Sequence, residues 1–365
     1  PRMKLQGKEI IFWSANDYLG LCNHPEVLEA DAKAAAEYGM FYPMGARAMS
    51  GETEQHLQLE RELADFVGKE SAYLLNFGYQ GMVSTIDALV SRHDVIVYDS
   101  NSHACIVDGV RLHMGKSFMF RHNDMDSFEK NIKRATKVAE ENGGGILVIT
   151  EGVFGMTGQQ GKLKEIAEFK KQYSFRLLVD DAHGFGTLGK TGAGAGEEQG
   201  CQDQIDVYFS TFAKSMAGFG AFIAGNKEII RYLKFNLRSQ IFAKSLTMPM
   251  VIGGLKRLEL LRTRPEIKAK LWENVEKLQN GLLERGFNLG NSNTCVTPVF
   301  MQGTPVEATL LVKDLRENFG IFTSVVVYPV IPKGSILLRL IPTASHTDAE
   351  INETLAAFEA IHDKL

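Results

Sequence analysis

Four short segments of this sequence carry residues whose types and spacing suit one ligand. Val179-Asp180-Asp181-Ala182-His183-Gly184 ends an apolar run on two carboxylates and a histidine. A carboxylate in that place can hold a cationic ring nitrogen, and the histidine a second polar atom of the same ligand. An N-capping Asp on a surface turn would explain the carboxylate as simply. Lys214 follows Val207-Tyr208-Phe209 in the segment Ser210-Thr211-Phe212-Ala213-Lys214-Ser215, with Gly218 and Gly220 close behind. A lysine that forms an imine needs a partly dry pocket with little bulk around it, whereas an isolated lysine at a strand end is ordinarily only solvated. Asn76-Phe77-Gly78-Tyr79-Gln80-Gly81 reads as strand, glycine turn and helix start, which presents free backbone N–H groups to a phosphate. Glycine also serves ordinary tight turns. In Asn101-Ser102-His103-Ala104, the flat ring of His103 can cap a helix or stack on an aromatic cofactor.

These segments need a scaffold that brings strand ends together. From about residue 70 to 225, short apolar runs alternate with helical stretches: 71–75, 94–98, 145–149 and 176–180, with a helical stretch at 163–172. Continuous rather than alternating apolar runs suit strands covered on both faces, and repeated βα units imply a mostly parallel sheet. Such sheets place ligands at the carboxyl ends of their strands. A helical stretch at 244–264 and a helix near 272–285 lead to strands around 297–301, 322–328 and 335–341. A last helix is opened by the capping-box spacing Thr347-Asp348-Ala349-Glu350. The expected domains are an N-terminal segment 1–40 contributing to the small domain and active site, a large domain 41–260, and a small α+β domain 261–365.

In this order, Gly78, His103, Asp180 with His183, and Lys214 supply what pyridoxal 5′-phosphate (PLP) requires: phosphate anchor, ring face, ring nitrogen with phenol oxygen, and imine nitrogen. Composition agrees with an enzyme of small molecules. The 365 residues are 44% hydrophobic, enough for a sizeable core, and a net charge of −4 gives no reason to expect nucleic acid or an anionic membrane as the main partner. Cys22, Cys105, Cys201 and Cys295 are scattered, which suits reduced thiols in the cytoplasm better than a disulfide frame or a metal site. No apolar stretch approaches the roughly 18 residues of a membrane span. The chain opens on Pro1 without a methionine, so a leading segment, a targeting segment among the options, is expected to precede it.

The residues resemble the α-oxoamine synthases, fold-type I PLP enzymes that include serine palmitoyltransferases, 2-amino-3-ketobutyrate-CoA ligases and 8-amino-7-oxononanoate synthases. The likeness covers nearly the whole chain. It includes Ser14-Ala15-Asn16-Asp17-Tyr18-Leu19-Gly20-Leu21; Arg47, Gly51, His56 and Leu59-Glu60; Ser102-His103-Ala104-Cys105; Asp180 and His183; Lys214; and Pro329-Val330-Ile331-Pro332 with Leu338-Arg339-Leu340. It implies Lys214 as imine lysine and base, His103 as stacking residue, and Asp180 and His183 as partners of the ring nitrogen and phenol oxygen. Gly78, Tyr79, Thr211 and Ser245 complete the implied cofactor contacts, with Asn16 and Arg339 on substrate. Arg339 also stands out unaided, because a charge inside Ile336-Leu337-Leu338-Arg339-Leu340-Ile341 needs a partner, and a guanidinium grips a carboxylate with two hydrogen bonds. A structural ion pair is the alternative.

The implied reaction is a decarboxylative Claisen-type condensation of an amino acid with an acyl-CoA or acyl carrier protein thioester, in a homodimer with shared active sites. A lipid product gives a reason for peripheral membrane contact. A small polar amino acid and a long acyl chain, as in serine palmitoyltransferase, is the leading expectation. Glycine with acetyl-CoA, the 8-amino-7-oxononanoate synthase reaction and cysteate follow; an aminotransferase or an inactive partner subunit is more distant. Three departures blur the substrate. Phe41-Tyr42-Pro43-Met44-Gly45-Ala46 replaces a glycine-rich stretch, Gly155 replaces a cofactor-contacting serine, and Ala243 replaces a hydroxyl that reaches the neighbouring subunit's phosphate, leaving Ser245 or Lys244 to substitute.

Overall fold

The computed structural model describes residues 1–362, which form two compact units: Leu21–Val153 with Gly161–Thr263, and Pro1–Gly20 with Phe154–Gln160 and Arg264–Leu365. The larger unit is built on a seven-stranded sheet. Its strands are β1 (Ser71–Leu75), β2 (Val95–Asp99), β3 (Lys116–Phe120), β4 (Ile146–Glu151), β5 (Arg176–Asp180), β6 (Val207–Thr211) and β7 (Ala221–Gly225). The spatial order is β1-β7-β6-β5-β4-β2-β3. Only β7 runs against its neighbours. All residues of β4, β6 and β7 are buried, as the continuous apolar runs require; each such Val, Leu or Ile contributes roughly 1.5–3 kcal/mol.

Helices on both sides hold this sheet. Helix α1 (Pro25–Tyr38) packs with α5 (Met248–Thr263), where Arg257 grips Asp31 through two 2.8 Å hydrogen bonds. α1 therefore belongs to the large unit, so that only residues 1–20 of the N-terminal segment join the smaller one. Helix α2 (Glu54–Phe66) explains a sequence spacing in structural terms. Arg47 pairs with Glu60 at 2.7 Å and Glu52 at 2.9 Å, Glu60 also accepts the Leu74 N–H of β1, and His56 bonds the Leu246 carbonyl at 2.9 Å. α5 starts at Met248, later than the expected 244, because the preceding backbone bonds elsewhere, with Ser245 N–H donating to the Gly45 carbonyl at 2.8 Å.

In the smaller unit, β8 (Thr297–Phe300), β9 (Ser324–Val326) and β10 (Leu337–Leu340) form an antiparallel sheet in the order β8-β10-β9. The run expected as one strand at 322–328 splits. Ile321–Phe322 pairs with Lys8–Phe12 in a second sheet, while Ser324–Val326 pairs with β10. Between them, Thr323 Oγ1 donates to the Arg339 carbonyl at 2.9 Å. The helix Pro265–Glu284 begins earlier than the expected 272 because Pro265 stands in its first turn, where its missing N–H costs nothing. The capping box of Thr347 and Glu350 forms at the last helix. Trp13 is fully buried, stacked on His346 at 3.9 Å and donating to Thr354 Oγ1 at 3.0 Å. Among the described residues no helix is long and apolar enough to cross a membrane.

Candidate active site

The carboxyl ends of the parallel strands in the large unit gather the predicted residues. Asp180 is the last residue of β5, and Glu151 ends β4 directly beside it in register. The hairpin between β6 and β7 carries Lys214 at its tip, held by Ala217 N–H to the Lys214 carbonyl (2.9 Å) and Gly218 N–H to the Phe212 carbonyl (2.8 Å). Ser215 Oγ donates to the Phe185 carbonyl at 2.6 Å, which ties the lysine turn to the loop bearing His183. His183 is buried, and its own carbonyl accepts from Thr187 Oγ1 at 2.7 Å. His103 caps helix α4 (Ala104–Leu112), which follows β2.

The two consecutive aspartates separate into different environments. Asp180 Oδ1 accepts from the Ala182 N–H at 3.1 Å, and its Oδ2 lies 3.9 Å from Cys105 Sγ. Burial raises its pKa, and the nearby Lys214 and His103 charges pull it back. Asp181 instead faces into the protein. Its Oδ2 accepts from Tyr208 Oη and Ala195 N–H, both at 2.9 Å, and a Cβ on Gly152, Gly184 or Gly194 would come within 2.0 Å of its carboxylate. Burial pushes the Asp181 carboxyl up to about 7. Glu151 is raised well above its ordinary range, first by burial and then by Asp180, although the His103 N–H bonded to it works the other way. Two buried carboxyls side by side favour sharing a proton, and Glu151 is the one placed to keep it.

Gly78 opens helix α3 (Gly78–Leu89), whose cap residue Phe77 offers no side-chain acceptor, so the first N–H groups are left for an anion. A Cβ at Gly78 would stand 3.1 Å from Thr211 Oγ1, so the glycine lets this turn and the lysine hairpin approach closely. Thr211 Oγ1 donates to the Gly220 carbonyl at 3.0 Å and accepts from Ala213 N–H at 3.2 Å. Tyr79 is half exposed, bonds Asp108, and meets the His103 ring edge-on at 6.1 Å. Asn76 Nδ2 donates to the Lys244 carbonyl, bringing residues 244–245 to the same turn. Ser245 Oγ is buried without a partner among the described residues and lies against Gly51, where an added Cβ would sit 2.7 Å away, whereas Lys244 is exposed. The hydroxyl thus points inward, and the outward group at this turn is the ammonium.

In the smaller unit, Arg339 is buried in β10. Its Nε donates to the Gly155 carbonyl at 2.7 Å and its Nη2 to Asn16 Oδ1 at 3.1 Å. Both of these partners are neutral. A guanidinium held by neutral acceptors has spare N–H groups for an anion. Asn16 and Arg339, 323 positions apart, are therefore one cluster.

A family model for aminotransferase class I and II matches residues 8–358. The chain belongs to that family. Within it, the relatives are α-oxoamine synthases. Cysteate-C-fatty acyltransferase of Capnocytophaga ochracea is 69% identical over 365 residues, covering all of this chain and 87% of the relative. Serine palmitoyltransferase of Sphingobacterium spiritivorum is 35% identical over 351 residues, covering 96% of this chain and 86% of the relative. A structure of serine palmitoyltransferase from S. paucimobilis, with PLP and myriocin bound, superposes with a TM-score of 0.94 at 29% identity, covering all of this chain and 90% of that one. This α-oxoamine synthase is a PLP-dependent C-acyltransferase of fold type I, acting on an amino acid and an acyl thioester.

The donor set fits the cofactor. A buried carboxyl raised by desolvation is stabilised as an anion by a cation bonded to it, such as a protonated pyridine nitrogen. The uncapped start of α3 fits the phosphate. Two residues escaped the sequence reading. Glu151 ends an apolar strand just as Asp180 does, which is the signal that could have found it. Cys105 touches His103 Nδ1 at 2.9 Å, a contact with no signature beyond its spacing of two from the histidine.

Proposed function

We propose that this α-oxoamine synthase condenses cysteate with a fatty acyl thioester, releasing CO2 and the free thiol and leaving a 2-amino ketone that bears a sulfonate. The observation that carries this is the 69% identity, across the entire chain, to a cysteate-C-fatty acyltransferase. It moves the amino acid from serine, the leading sequence expectation, to cysteate, one of the alternatives. Serine is the second reading, supported by a 35% relative.

When bound, PLP supplies an electron sink for the pair left as the α C–H bond breaks. Lys214 would hold the cofactor through its Nζ, the same atom that would take the α-proton. Asp180 would keep the ring nitrogen protonated, His183 would bond the phenol oxygen, and His103 would cover the ring. The start of α3 at Gly78 and Tyr79, with Thr211 beside it, holds the phosphate. Asn16 and Arg339 take the substrate carboxylate. The exposed Lys244 offers the charge for an anionic side chain.

A homodimer completes the reading. Met40, Phe41, Tyr42, Met44, Met49 and Phe242 are each half or more exposed. Tyr42 carbonyl to Met248 N–H (2.9 Å) and Gly45 carbonyl to Ser245 N–H (2.8 Å) pin their two segments together into one apolar patch. Such a cluster of exposed apolar side chains suits a second copy, and a long-chain product gives a reason for transient contact with lipid. Cysteines that form no disulfide among the described residues suit a cytoplasmic setting. The test is a panel of amino acids with a long-chain acyl-CoA, scored by thiol release. Cysteate should give the highest kcat/KM, and Lys244→Ala should erase its advantage over serine. A wild-type preference for serine or glycine would overturn the assignment.

A further inference from the structure

We propose that Cys105 is a positioning residue that fixes His103 as the neutral Nε2–H tautomer, leaving Nε2–H as the ring's only donor. The inference rests on reading His103 as the residue over the cofactor ring, and its geometry requires no ligand. The Cys105 backbone N–H can only donate, and it lies 3.2 Å from His103 Nδ1, so Nδ1 must carry a lone pair. Cys105 Sγ stands 2.9 Å from the same nitrogen and 3.9 Å from Asp180 Oδ2, so its single S–H donates across the shorter gap, to Nδ1. Two donors from one residue thus converge on Nδ1. Burial raises the thiol's pKa, so it retains the proton it donates.

The groups around the ring come from four elements. Glu151 at the end of β4 accepts the His103 backbone N–H, Asp180 ends β5, Lys214 sits on the β6–β7 hairpin, and Tyr79 lies on α3. Burial is the main effect lowering the imidazole pKa; Asp180 opposes it and Lys214 adds to it. Donation into Nδ1 also favours the neutral ring. The arrangement has a use: an imidazolium stacked face to face on a protonated pyridine would set two cations against each other, whereas a neutral ring stacks without that repulsion and keeps Nε2–H for the substrate's carboxylate or acyl oxygen.

The test is a long-range 1H–15N correlation spectrum of the full, PLP-free chain with labelled histidine, in which the signal missing from His103→Gln identifies the residue. The wild type should show Nε2–H. Cys105→Ala should raise the His103 pKa by about half a unit to one unit, the worth of one hydrogen bond to the neutral form, and Cys105→Ser should return it toward wild type. In the holoenzyme the acid limb of kcat/KM should move with it. A wild-type Nδ1–H tautomer, or an unchanged His103 pKa in Cys105→Ala, would overturn the proposal. Should Cys105→Ala fail to fold, the wild-type tautomer alone decides. Failure of the cysteate assignment would leave these spectra untouched.

Discussion

The strand-edge site of the large unit and the Arg339 cluster of the smaller one solve opposite problems. At the strand edge, charge is concentrated and constrained: Asp180, Glu151, His103 and Lys214 perturb one another, and main-chain contacts hold each in place. In the smaller unit, one charge sits among neutral acceptors, Gly155 carbonyl and Asn16 Oδ1. Mutual electrostatics suits a site that must tune proton affinities for one fixed cofactor. A lone, well-held guanidinium suits binding an anion that arrives and leaves with each turnover. On the proposed assignment, reaction type and substrate capture are carried by different physics.

Substitutions can break this division, beginning with the largest effect. Lys214→Ala should lower kcat by about 10³-fold or more, and the visible absorbance of the imine should vanish with it; colour persisting unchanged would refute the lysine assignment. Asp180→Asn should cost roughly 10²–10³-fold in kcat while leaving KM for the amino acid little changed, as steady-state kinetics would show. Arg339→Ala should do the reverse. Its loss of a charge-assisted grip on the carboxylate predicts a rise in KM of about 10–100-fold with the cofactor spectrum intact. If Arg339→Ala altered the spectrum as strongly as Asp180→Asn, the two regions would not be separable.

The smallest effect sharpens the contrast between the two aspartates. Asp181 has an ordinary carboxylate pKa of 3.8 when unfolded and about 7 in the fold, so between these values the folded chain binds the extra proton. Its contribution to stability is full below about pH 3.8 and is lost as pH rises toward 7, on the order of 4 kcal/mol across that window. Asp181→Asn should flatten the fall in urea midpoint over that range relative to wild type, with less effect on kcat than Asp180→Asn. An identical pH dependence in the two proteins would show that the caged carboxyl is ionised throughout.

Much of this was legible in the residues. Lys214, Asp180, His183, His103 and Gly78 follow apolar runs long enough to mark buried strands, and a polar residue at such an end has few places to point. The parallel sheet was legible for the same reason. Arg339 announced itself as a charge in an apolar run, although its partners, Gly155 and Asn16, are distant in sequence. Side-chain direction was not legible: nothing in Asp180-Asp181 says which carboxyl faces Cys105 and which the glycine cage. Nor does Ala243-Lys244-Ser245 reveal that Ser245 turns inward against Gly51. The split of 321–326 between two sheets likewise depends on a tertiary bond from Thr323 that no local pattern encodes.

The reaction itself is tested most directly by stoichiometry. Wild-type enzyme given carboxyl-labelled cysteate and a long-chain acyl-CoA should release one labelled CO2 for each free CoA thiol, with neither product when either substrate is omitted. Transfer of the amino group to a keto acid without CO2 or thiol release would contradict the account.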